Sequence, residues 1–149
     1  MGFFDVPTNY SYHGVIAAYG IAQLVGVRWA AVYNGLDHNV MPRDDLQKAE
    51  TSKKLQPAHL AMLKRRAAAH YNGLENLALF VAAVVAMNQV KMPVAAINQF
   101  VVRYVVSRFI YTVIYTFNSS EMLAFSRTIV WWYGMIICFS NLVQAGQRL

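Results

Sequence analysis

Between His70 and Asn76 the chain places His70, Asn72, Glu75 and Asn76 within two helical turns, and further on come Arg108, Tyr111 and Tyr115, then Arg127. At helical spacing Asn72 and Glu75 share a face, Arg65 lines up with Asn72 and Asn76, and Arg108, Tyr111 and Tyr115 form one stripe. All sit in or beside long apolar runs. Ionisable groups at that depth cost ~2.5–3.5 kcal/mol on insertion scales and persist where they face an interior or a wet cavity. One glutamate, Glu75, can neutralise one cation, whereas Arg28, Arg103, Arg108 and Arg127 all lie within apolar segments. This surplus asks for an anion the chain does not supply. The chemistry expected is capture of an anionic, polar ligand between helices, near the cytoplasmic side.

The elements that must position these groups are long helices. A span needs ~20 mostly apolar residues to cross ~30 Å of hydrocarbon. Four candidates occur, at about 12–32, 58–89, 93–117 and 121–146. The second opens at Pro57, a favourable helix start, and from Ala67 to Val90 carries only Glu75 as a charge. The fourth follows Ser120-Glu121, which reads as a start signal. Only the connection at about 34–56 is long and polar. Short links elsewhere make neighbours antiparallel, giving an all-α integral membrane fold, an up-down-up-down four-helix transmembrane bundle in a single domain over 1–149. The excess of Lys and Arg between Arg43 and Arg66 puts that loop in the cytoplasm and both termini on the other side.

Composition narrows the classes further. Of 149 residues 57% are hydrophobic and 13% charged, the latter about half the usual share, too few to cover an ordinary soluble monomer. An aromatic content of 13% excludes disorder. One cysteine, Cys138, excludes a disulfide framework. The net charge of +6 is divided between the loop and single arginines, so it marks topology and no nucleic-acid partner. His13, His38, His59 and His70 lack metal-ligand spacing, and no Gly-rich phosphate loop occurs. No removable leader is legible at the N-terminus, and Val6 stands where a myristoylation signal wants Ser or Thr. Single polar residues such as Asn76 also serve as interhelical glue, and Tyr10, Tyr12, Trp131, Trp132 and Tyr133 as interfacial belts.

The segment Lys64 to Phe80, with Asn72, Glu75, Asn76 and Phe80, resembles the helix-two signature of the membrane-associated proteins in eicosanoid and glutathione metabolism, the MAPEG family. Arg108, Tyr111 and Tyr115 are similar to that family's third-helix pattern, and Arg127-Thr128 to its fourth-helix Arg-Ser. The likeness covers nearly the whole chain.

What it implies is a homotrimer of four-helix protomers in the endoplasmic reticulum or another intracellular membrane, with glutathione bound between protomers. The activity implied is a microsomal transferase, peroxidase or isomerase of lipid metabolism, acting on a lipophilic small-molecule electrophile. Carried over by position, Asn72 and Glu75 hold the tripeptide, Glu75 by its amino group. His70, Arg108, Tyr111 and Tyr115 are further ligands, Arg28 meets a carboxylate, and Arg127 stabilises the thiolate, with Tyr115 beside it in catalysis. A thiol of pKa ~8.5 needs such a cation to be nucleophilic at neutral pH. Two departures stand out: Ala68 replaces a usual arginine, and Ala78 a common proline, whose loss should straighten the helix. Ala68 motivates the alternative, the same fold without glutathione chemistry. That would be a membrane lipid-binding scaffold, or an isomerase or cyclase using Tyr111, Tyr115 and His70.

Overall fold

A computed structural model describes residues 7–28, 41, 44–52, 54–118 and 120–149. These form five helices, α1 (Ser11–Leu24), α2 (Asp45–Ser52), α3 (Pro57–Gln89), α4 (Val94–Phe117) and α5 (Glu121–Gly146), with no strand among the described residues. Pro57 opens α3, where its missing N–H costs no helix bond. At Ser120 the backbone is extended and the side-chain oxygen accepts the Leu123 N–H at 3.3 Å, which starts α5. α3 runs unbroken through Ala78.

The first helix departs from the hydropathy reading. It ends at Leu24 and not at Val32. Gly26 turns the chain, its N–H bonding the Gln23 carbonyl at 3.0 Å. Arg66 of α3 then takes the carbonyls α1 leaves unpaired: Nε donates to Val25 at 3.2 Å, and Nη2 to Leu24 and Gly26 at 3.4 Å each. Residues 29–32 lie outside the described residues. The polar connection is also more than a loop, since it contains α2. That helix is tied back by Asp45 to Arg28 (3.3 Å) and by Glu50 to Lys64 (2.6 Å).

α3 and α4 pack on each other, and both pack on α1 and α5. The turn between them is set by local hydrogen bonds. The Lys91 and Met92 N–H groups reach back to the Asn88 and Met87 carbonyls at 3.0 Å each, with Lys91 at φ 53°, a helix-ending motif usually built on glycine. Contacts then run in opposite directions: Tyr104 reaches Asn76, Arg108 reaches Asn72, and Thr116 meets Arg65. Close seams need small residues. Any side chain at Gly14 would drive into Val101, and one at Gly73 would come within 2.8 Å of the Ala22 methyl. Phe80, Val84 and Met87 of α3 meet Ile97, Phe100 and Tyr104 of α4 as the buried core, the Phe80 and Tyr104 rings stacked 3.9 Å apart.

The outer surface is greasy. Ile16, Phe109, Phe125, Ile129, Ile136 and Phe139 are all exposed, a pattern that suits lipid more than water. Among the described residues two helices are long and apolar enough to cross a membrane, α4 and α5, with mean hydropathy 1.3 and 1.4. At the end where the chain starts, Asn9, Ser11 and Asn88 bond one another. Asn98 there accepts the Tyr10 N–H at 2.9 Å and donates to the Thr8 carbonyl at 3.0 Å.

Candidate functional site

Arg108 is 5% exposed and lies inside the protomer. Its position on α4 turns it inward between α3 and α5. Nη1 donates to the Asn72 side-chain oxygen at 3.4 Å, while Nε and Nη2 have no hydrogen-bond partner. The guanidinium carbon lies 5.0 Å from the Tyr104 ring centre and 5.6 Å from that of Tyr111. Such stacking partly offsets the loss of water around a cation. Across the group, α5 presents Gly134, where a methyl would come 2.7 Å from Nη2.

From there an aromatic path leads to the second cation. Tyr111 and Tyr115 meet edge to face at 5.5 Å, and the Arg127 guanidinium sits 4.1 Å from the Tyr115 ring centre. The order is guanidinium, ring, ring, guanidinium, on one seam between α4 and α5. Neither arginine has an acidic partner among the described residues.

The remaining expected residues lie elsewhere. Glu75 is exposed on α3, where the sequence argument took it as buried. A carboxylate on the outer face of a helix stays accessible to whatever covers that face. Arg28 is likewise no free cation: it pairs with Asp45, which is 2% exposed. Arg103 is exposed on α4. The surplus of four arginines thus reduces to Arg108 and Arg127. Arg28 and His70 share a pocket of about 440 Å³ at the end of α1, lined also by Asp45, Leu46, Tyr71 and Leu74. His70 Nδ1 is 2.8 Å from the Ala22 carbonyl. A carbonyl only accepts, so Nδ1 carries the hydrogen and, in the neutral ring, Nε2 is left as an acceptor.

The structure therefore brings Asn72, Arg108, Tyr111, Tyr115 and Arg127 together, and separates them from Arg28 and His70. Beside Arg108 the interior holds only a small cavity of about 10 Å³, walled by Ala22, Gly73, Tyr104, Tyr111 and Thr112. That is roughly the room for one water. Arg108 touches Asn72 and Tyr111 there.

Sequence reasoning missed Tyr104, Gly134, Arg66 and Asp45. Tyr104 was within reach, being one turn before Arg108 on the same stripe. It donates its hydroxyl to the Asn76 carbonyl at 3.2 Å, while Asn76 donates to the Asn72 carbonyl at 2.7 Å. Arg66, Gly134 and Asp45 act through contacts between distant segments, and nothing in local spacing announces those.

Comparison with known proteins gives one match. The MAPEG family profile aligns with residues 14–147, which takes in most of α1, the α4–α5 seam and both arginines. No curated protein and no solved structure matches the chain. With the profile running over nearly the full length, the chain belongs to the MAPEG family.

Proposed function

We propose that the protein is a glutathione-dependent integral membrane enzyme, a transferase, peroxidase or isomerase acting on a lipophilic electrophile. In this reading four spans form an up-down-up-down bundle, and three copies form the working unit in the endoplasmic reticulum or another intracellular membrane. The loop at about 34–56 faces the cytoplasm, and both termini face away from it.

One observation carries the reading: two cations, Arg108 and Arg127, stand at the ends of the Tyr111–Tyr115 pair with no acid against either among the described residues. Arg108 is buried and Arg127 half-buried, and positive charge held away from water calls for a ligand of the other sign. The unpartnered nitrogens of Arg108 fit that need. Family membership supports glutathione as that ligand.

Glutathione supplies a thiol as nucleophile. Arg127 favours the ionised sulfur electrostatically, and Tyr115, beneath its guanidinium, fixes where that charge sits. Glu75, exposed on α3, takes the amino group, and Asn72, held by Arg108, presents its amide. Arg28 and His70 bind a carboxylate from the pocket at the end of α1, which requires Arg28 to share itself with Asp45. An open apolar groove of about 760 Å³ runs along α3 past Leu74, Val81 and Val85. A neighbouring protomer would cover it and bring its own groups to Glu75.

The test is a glutathione titration of detergent-purified protein by thermal shift, wild type against Glu75→Gln, with turnover of a generic aryl halide by wild type and Arg127→Ala. Stabilisation by millimolar glutathione that Glu75→Gln weakens, and conjugation that Arg127→Ala loses, support the proposal. Absence of stabilisation and of turnover at every pH overturns it.

Ala68 favours a second reading, the same fold without thiol chemistry, since that position on α3 offers no cation. Co-purified lipid with no conjugating activity selects a scaffold. Turnover insensitive to thiol depletion selects an isomerase or cyclase using Tyr111, Tyr115 and His70, in which Tyr111 would act apart from His70, since the two line different cavities.

A further inference from the structure

We infer that Gly134 is a positioning residue for the α4–α5 site, its missing side chain setting the Arg108 guanidinium against Asn72; the inference rests on the glutathione reading above. Gly134 is buried in α5. A β-carbon there would stand 2.7 Å from Arg108 Nη2 and 3.4 Å from both Cζ and the Ser107 hydroxyl. The first distance is below any ordinary contact, so the guanidinium would have to move.

It has little room to do so. Tyr104 and Tyr111 flank it at 5.0 and 5.6 Å, and the adjoining cavity is only about 10 Å³. The bond it would lose is the long one that Nη1 makes to Asn72 at 3.4 Å, since Nε and Nη2 have no partner among the described residues. Asn72 would then be released from its partner on α4.

The same glycine sets a second relationship. Gly134 lies one heptad beyond Arg127 on α5, and Arg108 one heptad before Tyr115 on α4. The helices run antiparallel here, so Gly134 faces Arg108 where Arg127 faces Tyr115. Prising the seam apart at Gly134 shifts the register that seats Arg127 over its ring. One small residue therefore sets both cations.

The experiment is a double-mutant cycle on the full chain in detergent, using Gly134→Ala, Arg108→Lys and the pair, with glutathione as the probe. Gly134→Ala should raise the glutathione Kd by roughly tenfold and raise KM more than it lowers kcat. In the Arg108→Lys background, where no Nη2 exists to meet the new methyl, the same change should alter Kd less than twofold. Gly146→Ala, with open space around it, should match wild type throughout. If Gly134→Ala does not fold, folding of the double variant supports the inference and its failure to fold overturns it. Equal effects in the two backgrounds, or an unchanged Kd, also overturn it. A wild-type protein that ignores glutathione overturns the functional reading instead, and the two failures are distinguishable.

Discussion

Arg65 and Arg66, adjacent in sequence, secure the ends of two different helices. Arg66 donates to the last carbonyls of α1, and Arg65 Nε donates to the Thr116 carbonyl in the last turn of α4 at 3.2 Å. Both helices finish at the same end of the molecule, where their carbonyl dipoles favour positive charge. Two adjacent arginines of a basic segment thus join α1, α3 and α4.

Replacing Arg66 by Ala should lower stability by about 1 kcal/mol, through loss of the charge-assisted bonds at the C-terminus of α1. Thermal unfolding in detergent measures it, and Arg66→Lys should recover part of the loss. An unchanged midpoint would show that water serves those carbonyls equally well.

Arg108→Met should separate binding from stability. Removing a buried, incompletely bonded cation costs the fold little and can stabilise it, because the desolvation of the charge is relieved. The melting midpoint should hold or rise, while stabilisation by glutathione falls. A large drop in the midpoint would mean that Arg108 is a structural keystone.

Arg127→Ala should move the pH–rate profile for conjugation upward. On the glutathione reading proposed above, the cation would let the bound thiol ionise below its ordinary range. Without it, the thiolate needs higher pH, and the rising limb shifts toward ~8.5. Rates at saturating glutathione across pH check this, and an unmoved limb would remove Arg127 from thiol activation.

Lys91→Gly should stabilise the protein by about 0.5–1 kcal/mol. Lys91 occupies the left-handed region at φ 53°, where glycine meets no steric penalty, the gain being reduced by the greater freedom of glycine in the unfolded chain. Thermal melts of the two proteins decide it.

Much of the architecture was legible where local chemistry dictates it. Pro57 and Ser120 mark starts because a missing N–H and a hydroxyl acceptor act within one turn. The stripe of Arg108, Tyr111 and Tyr115 follows from helical period alone. The end of α1 did not show, because Arg66 of a distant helix serves it, and hydropathy runs on past Gly26. Arg28 looked unpaired because Asp45 lies across a polar connection whose short helix has no apolar signature. Glu75 was read as buried from its neighbours, yet its side of α3 is open. Each miss concerns which distant group arrives, and periodicity carries no information on that.

The asparagine clasp at the start of the chain bears on biogenesis. Asn9 and Ser11 find their mates at Asn88, and Thr8 and Tyr10 at Asn98, residues that leave the ribosome much later. The contacts of Thr8 and Tyr10 with Asn98 therefore cannot form until α4 has been made, whereas those with Asn88 need only α3. A partner fused close ahead of Thr8 would crowd the Asn98 contacts that complete this end of α1.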